Sequence, residues 1–585
     1  MKSPQQVLEA RLAAASTQLF GPGAAAAQAK PCADPRHGDF QTNAAMTKAK
    51  ELGRNPRELA AELAALLQAD AAYAEAFEAP EIAGPGFLNV RMKPAFLDRS
   101  LVAARSEGRI GVEAEPASGT VILDFSGPNV AKEMHVGHIR STILGDALAR
   151  VHRFLGRTVV TDNHLGDWGT QFGKILLGYK RHGSEAELNE RPIEHLEALY
   201  QQVHEASKTD EAIQEEARKE LLKLQQGDPE SLALWKRFVA ATLAELDKIY
   251  GRLGVRFDET LGESAYNDRL DATVRDLRAK GIARESEGAV VVFFDGPDDD
   301  KQLADKPFLV RKSDEAFLYS TTDLATVAYR VERWNPARII YVTDGRQQLH
   351  FQQLFATVRK WGAAPAAVLE HVWFGAILGG DKKPLKTREG KPIKLRELLD
   401  EAESRALEII TAKRPELDEA KRKEIARVVG LGALKFADLG QNRNLDYVFD
   451  WKKLLAFEGN TAPYLQNGYV RIKSIFRKAA EQGIAIPDAA APIALREEAE
   501  VVLGKKLLAF GETLRVVAAE SRPHYLCVYL CELATAFHGF YEACPVLKPG
   551  VPEEVRASRL ALCALTADAL RLGLDLLGIG TLEEM

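Results

Sequence analysis

The sequence predicts an α/β chain organised around a parallel sheet, and three observations predict it. Residues 121–123 are a short continuous apolar run, the pattern of a strand covered on both faces. Ile139, Leu144, Ala147, Leu148, Val151 and Phe154 then recur at helical spacing, and Gly156 ends that helix. Residues 158–161 read as the next strand, which completes a βαβ unit.

The flanking elements follow in order. Residues 1–105 read as a separate α/β domain. Residues 55–67 carry a helical apolar pattern after a Pro56 start, and residues 82–92 read as a turn followed by a strand. Residues 37–46, HGDFQTNAAM, read on their own as a local turn and helix cap. Residues 106–119 read as a linker. A central domain spans residues 120–445, with a largely helical insertion at about 175–310. In it Asp228-Pro229-Glu230 opens a long helix with Leu232, Trp235, Val239, Leu243, Leu246 and Tyr250 on one face. Residues 288–294, 308–310 and 317–320 suggest strands and a hairpin, and strand-like runs return at 338–342 and 371–377. Residues 450–585 are helical, broken by Pro-rich loops at 487–492 and 545–552.

Composition bounds the partners. A chain of 585 residues with 46% hydrophobic and 27% charged content has the profile of a soluble globular protein of several domains. A net charge of −6 argues against a general polyanion binder, so any RNA contact must use local basic patches. No apolar run approaches the ~18 residues of a membrane span, and the N-terminus has no apolar core of signal-peptide length. A cytoplasmic protein without membrane association is expected. Cys527 and Cys531, one helical turn apart, read as buried packing residues, since no second cysteine or histidine pair completes a metal site.

Residues 124–140, DFSGPNVAKEMHVGHIR, carry the most chemistry. They fill the turn between strand and helix, and ligands of open parallel sheets bind at the carboxyl ends of strands. A helix N-terminus offers unpaired N–H groups and partial positive charge. Lys132, His135 and His138 add donors over the same spot, and Gly137 leaves room for a ring or ribose to approach the backbone. Phosphate is the expected ligand. A bare HxGH could equally be two surface histidines on a βα loop; the flanking SGPN and AKEM narrow the choice.

The segment closely resembles the signature of class I aminoacyl-tRNA synthetases, and among them the bacterial-type arginyl-tRNA synthetases. The resemblance continues through DNHLGDWGTQFGK (162–174), LYSTTDLA (318–325), YVTDGRQQLH (341–350), FEGNTAPYLQ (457–466) and DALRLGLDLLGI (568–579), in the family's order. It implies a Rossmann-like parallel-sheet catalytic domain with a helical insertion, an N-terminal α/β domain that contacts tRNA, and an all-α DALR-type anticodon-binding domain. The implied reaction joins L-arginine to tRNA through an arginyl-adenylate, with ATP as cosubstrate. Mg²⁺ is expected to travel with ATP and to need no dedicated protein site. A monomer is expected.

The resemblance also implies roles. His135 and His138 are the two signature histidines and Lys132 the SPNxAK lysine, all three at the ATP phosphates, with Gly137 in the same nucleotide site. The second class I signature is degenerate, and DKKPLKTREGKPIKL (381–395) stands in its place, so Lys386 and Arg388 are the candidate phosphate clamp. A guanidinium needs planar acceptors and a carboxylate. Tyr319 and Asp323, four apart, could share one helix face. By resemblance they line the arginine site with Asn129, Gln347, Asp124 and Glu263. On residues alone Asp323 reads as a helix N-cap. Arg471, Lys473, Arg477 and Lys478, near Tyr464 and Tyr469, form a basic face suited to splayed RNA bases or simply to solvent. The resemblance favours tRNA for Arg471, Lys473 and Arg477. Other readings are another class I synthetase, a small-molecule adenylyltransferase, and an inactive RNA-binding relative. The absence of cysteines between Cys32 and Cys527 argues against the cysteinyl type.

Overall fold

The computed structural model describes residues 2–22, 28–116, 119–383, 385 and 393–585. At its centre four parallel strands lie in the order Val368–His371, Pro336–Val342, Thr120–Phe125, Thr158–Asp162. The chain adds Thr158–Asp162 on one side of Thr120–Phe125 and later inserts Pro336–Val342 on the other. The order therefore reverses between the two middle strands. That reversal opens a crevice at their carboxyl ends, where Asp124 pairs in register with Tyr341.

The two faces of the middle strands bury different side chains. Val121, Leu123, Phe125, Ile340 and Val342 join one core, and Ile122, Ile339 and Tyr341 join the other. Coverage on both faces is why residues 121–123 read as an unbroken apolar run. Helix Val136–Phe154 lies on the first face, packing Ile139, Ile143, Leu144, Ala147, Leu148 and Val151.

The insertion is helical from Thr170–His182 to Asn267–Ala279 and ends in an antiparallel sheet of Ala283–Ser286, Ala289–Val292 and Phe308–Arg311. Three expectations need correction here, and one strand was not foreseen. Helix Pro229–Leu253 buries Phe238, Thr242, Leu246, Ile249, Tyr250 and Leu253 most deeply, and the predicted Leu232, Trp235, Val239 and Leu243 flank that stripe. Strand Ala283–Ser286 was hidden in ARES, whose charges stay in solvent. Residues 317–320 form no strand. Phe317 makes a single bridge to Arg311, and Tyr319 already opens helix Tyr319–Trp334. Likewise the 371–377 run divides into strand ends at His371 and Ile377.

The N-terminal residues form a four-stranded antiparallel sheet with covering helices, and what read as a turn before one strand is the hairpin Glu81–Ala83 with Phe87–Val90. Helix Pro94–Ser106 packs on the C-terminal helix Glu498–Leu508, and Lys505 of that helix pairs with Asp39 at 2.5 Å. From Ala462 to Leu576 the chain is a helical bundle, with Cys527, Cys531, Cys544 and Cys563 buried as free thiols. Among the described residues no helix is long and apolar enough to cross a membrane.

Candidate active site

The site grows from the turn after strand Thr120–Phe125. Ser126 and Ala131 adopt positive φ (74° and 60°), uncommon for residues with a side chain, so the turn is held by its surroundings. The Ser126 N–H donates to Ser141 Oγ at 2.8 Å, and the Gly127 N–H donates to Asn163 Oδ1 at 3.1 Å. Val130 N–H donates to the Gly166 carbonyl, and Gly166 N–H returns a bond to the Pro128 carbonyl. A Cβ on Gly166 would lie 2.1 Å from Asn129 Oδ1, so only glycine lets Asn129 sit there. The DNHLGDWG segment is thus largely scaffold. Asp167 accepts from the Ser264 N–H and hydroxyl, fixing the turn that carries Glu263.

His135 caps helix Val136–Phe154. Its Nδ1 accepts from the Gly137 N–H at 3.0 Å, and His138 Nδ1 accepts from the His135 N–H at 3.1 Å. A nitrogen that accepts a backbone N–H carries no proton, so each neutral ring carries its proton on Nε2. Burial, reinforced by the neighbouring His135, lowers His138 to about 4. Burial and then Arg346 lower His135 as well. Near neutral pH the pair therefore presents two uncharged Nε2–H donors beside a helix N-terminus. A Cβ on Gly137 would meet the His135 ring at 2.8 Å. The Cβ position of Gly137 is thus taken by the His135 imidazole, while Gly137 itself lines the cavity.

One cavity of about 480 Å³ collects these groups. Asp124, Asn129, Glu263, Tyr319, Asp323 and Gln347 all line it, together with His135, Gly137 and His138. Tyr319 and Asp323 reach it from successive turns of helix Tyr319–Trp334, and Tyr319 is 61% exposed. Asp323 is not the helix cap. Leu318 holds that position, its N–H donating to Thr321 Oγ1, and Asp323 Oδ2 lies 2.6 Å from His350 Nε2. Burial raises Glu263 to about 7; His164 opposes the rise and Asp323 adds to it. Asp124 is raised by burial against the pull of Arg330. Four carboxylates, including Asp344, face the cavity beside a single guanidinium, Arg346, so a cationic ligand is favoured at the carboxylates.

Four lining residues with carboxylate, imidazole or guanidinium side chains were not singled out in the sequence: His164, Asp344, Arg346 and His350. Arg346, its side chain 89% exposed and paired with Asp344, supplies a permanent positive charge near His135. His164 and His350 lie in quoted segments, DNHLGDWG and YVTDGRQQLH. Helical spacing of Gln347 and His350 was the available signal for the latter.

Other predicted residues lie elsewhere. Lys132 does not line the cavity, and its Nζ sits 5.3 Å from the Tyr200 ring centroid of the insertion. Lys386 and Arg388 lie outside the described residues. The chain beyond them is stitched to the histidine turn. Val136 N–H donates to the Ile393 carbonyl, Leu395 N–H donates to the Met134 carbonyl, and Lys394 pairs with Glu133 at 2.5 Å.

Arg471, Lys473 and Arg477 share helix Ala462–Glu481, but the interleaved aromatics do not face out. Tyr469 is buried and donates to Glu583, and Tyr464 bonds His538. The amphipathic helix turns its rings into the bundle. Lys473 pairs with Glu583 at 3.0 Å, and Arg477 donates to the Glu583 carbonyl. Arg471 lies 6.0 Å from the Tyr541 ring centroid.

Comparison with known proteins places the chain in a family. Residues 101–451 match the family described as tRNA synthetases class I (R), catalytic domain. Residues 465–585 match the DALR anticodon binding domain, and residues 5–92 match the arginyl tRNA synthetase N terminal domain. The arginine–tRNA ligase of Citrobacter koseri is 44% identical over 99% of this chain and 100% of its own. That of Cellvibrio japonicus is 47% identical over 94% of each. The crystal structure of arginyl-tRNA synthetase from Plasmodium falciparum superposes with a TM-score of 0.83 at 28% identity, covering 100% of both chains. The Thermus thermophilus arginyl-tRNA synthetase gives 0.81 at 26% identity, covering 99% of this chain and 100% of its own. The chain belongs to the arginyl-tRNA synthetases of class I.

Proposed function

We propose that the chain is an arginine–tRNA ligase. It activates L-arginine with ATP and transfers it to tRNA, releasing pyrophosphate and AMP. The observation that carries this reading is one cavity joining Asp124, Glu263 and Asp323 to a helix N-terminus with two neutral histidine donors. Asp323, with Asp124 and Glu263, holds the cationic groups of arginine. Tyr319 closes over the side chain, and Asn129 and Gln347 bond its α-amino and α-carboxyl groups. The arginine carboxylate then attacks the α-phosphorus of ATP. Little covalent work falls to the protein, which aligns the groups and stabilises charge building on the phosphate.

Gly137 keeps the His135 ring close to the helix N-terminus, and the Nε2–H groups of His135 and His138 face the phosphate oxygens. Arg346, Lys386 and Arg388 add positive charge. Mg²⁺ bound to ATP would neutralise phosphate charge, held chiefly by ATP itself. The reading takes residues 1–105 as the tRNA-contacting domain, 120–445 as the catalytic domain with its insertion, and 450–585 as the anticodon-binding domain. Arg471, Lys473 and Arg477 lie on the tRNA side. The enzyme works in the cytoplasm, which suits its free thiols.

The test is ATP–pyrophosphate exchange screened over the proteinogenic amino acids, with and without tRNA. Exchange that depends on arginine alone, and arginylation of tRNA, are the expected results. Exchange driven by another amino acid overturns the reading.

A further inference from the structure

One guanidinium is already built in behind the cavity. Arg330, on helix Tyr319–Trp334, is fully buried. Its Nη2 donates to Asp124 Oδ2 at 2.6 Å and to Asp162 Oδ2 at 2.7 Å. Its Cζ lies 5.4 Å from the Tyr341 ring centroid. Asp124 lines the cavity, whereas Asp162, its register partner on the neighbouring strand, does not.

The arrangement is poor as a stabilising device. Arg330 Nε and Nη1 and Asp162 Oδ1 have no hydrogen-bond partner among the described residues. A buried ion cluster with unmet polar atoms is no more stable than an apolar replacement of the same size. It does solve an electrostatic problem. Neighbouring strands bring two carboxylates side by side in a dry interior, and without a cation between them both cannot stay ionised.

We propose that Arg330 is a positioning residue for substrate recognition, the internal counter-ion that keeps Asp124 ionised with Oδ2 held back and Oδ1 presented to the cavity. The proposal rests on the reading that Asp124 contacts arginine. Asp124 then acts as an acceptor whose charge is largely balanced, and selection for a cationic side chain falls to Asp323.

The groups facing Asp124 are Arg330 from the helix, Asp162 and His164 from the adjacent strand and its loop, Tyr341 from the other strand, and Tyr266 from the turn Glu263–Tyr266. Burial pushes the Asp124 carboxyl up, and Arg330 is the strongest influence against it. Without Arg330 the carboxyl titrates higher. A larger share of it is then protonated at any given pH, and that share falls as pH rises.

The experiment is ATP–pyrophosphate exchange by full-length Arg330→Gln with tRNA present, varying arginine and ATP separately across pH. The KM for arginine should rise about 10- to 100-fold, the loss of a hydrogen bond to a charged group, with the KM for ATP unchanged. The arginine deficit should shrink as pH rises. Arg330→Lys keeps the cation and should restore much of the affinity. Equal losses toward ATP and arginine, or a deficit flat with pH, overturn the proposal. If both variants fail to fold, Arg330 is structural and the proposal falls. Asp124→Asn separates this from the reading beneath it. An unchanged KM for arginine there removes Asp124 from the substrate site. A raised one, with Arg330→Gln unaffected, leaves the site standing and discards the role of Arg330.

Discussion

His350 Nε2 lies 2.6 Å from Asp323 Oδ2, joining the first turn of helix Gln348–Trp361 to the second turn of helix Tyr319–Trp334. The Tyr319 ring stands 4.9 Å from that imidazole, centroid to centroid. The bond holds one carboxylate oxygen of Asp323 and leaves the other for a ligand.

Asp323→Asn should therefore preserve the fold and lose the ion pair to the substrate guanidinium. Breaking a buried pair leaves a charge unmatched, so kcat/KM for arginine should fall about 10²–10³-fold. His350→Ala removes only the orienting bond and should raise the KM for arginine about 10-fold, without changing the KM for ATP. Steady-state exchange kinetics read both. A near-wild-type value for Asp323→Asn would remove that residue from the substrate site.

His138→Ala should slow adenylate formation about 10²-fold, because its Nε2–H matters most as charge develops on phosphate. Arginine affinity should hold. Gly137→Ala tests the same turn from the other side. Its Cβ would push the His135 ring from a 2.8 Å contact, so the chemical step should slow while the melting temperature stays close to wild type. Single-turnover kinetics separate chemistry from binding. A change confined to the arginine Kd would contradict the phosphate role.

Glu263 links binding to pH. Burial raises its carboxyl to about 7, so it is partly protonated at neutral pH in the substrate-free protein. A cation beside it favours the ionised form, and arginine binding should release a proton. Affinity for arginine should thus improve as pH climbs from about 6 to about 8, and Glu263→Gln should flatten that rise. Calorimetry in buffers of different ionisation enthalpy counts the proton. Folding carries the opposite sign. The folded carboxyl titrates above its unfolded value, so its favourable contribution holds at low pH and is lost as pH passes about 7.

The basic helix divides into unequal parts. Arg471 should matter more to RNA than Arg477, whose guanidinium donates to the Glu583 carbonyl. Arg471→Glu should raise the KM for tRNA and lower its salt dependence by about one unit of slope, with Arg477→Glu weaker on both counts. Filter binding across salt concentrations reads the difference. Removing residues 1–105 is a poor probe of RNA contact. Leu101 packs against Gly504 of the C-terminal bundle, and the deletion would strip that core.

Much of the site was legible because its parts are local. A strand, a turn and a helix N-terminus occupy residues 120–154, and the period-3.6 face and the HxGH spacing both survive in the linear sequence. The shared helix of Tyr319 and Asp323 was legible from their spacing, but their place in the site came from resemblance, since on residues alone Asp323 reads as a cap. Asn129, Gln347 and Glu263 were reached through resemblance and not through spacing.

The sequence by itself determined the α/β class, the strand-to-helix turn with its two histidines, and the helical character of residues 450–585. Tertiary structure alone decided which charges count. Asp124, Asp162 and Arg330 are far apart in the chain and become a buried triad only when parallel strands and one helix converge. Lys132 is drawn over Tyr200 and away from the cavity lining, and Tyr469 turns inward, because packing faces are set by neighbours that no local pattern encodes. The protonation of His138 and Glu263 belongs to the same class. A side chain's proton affinity depends on the water and charge around it, and those are fixed only once distant segments have closed the cavity.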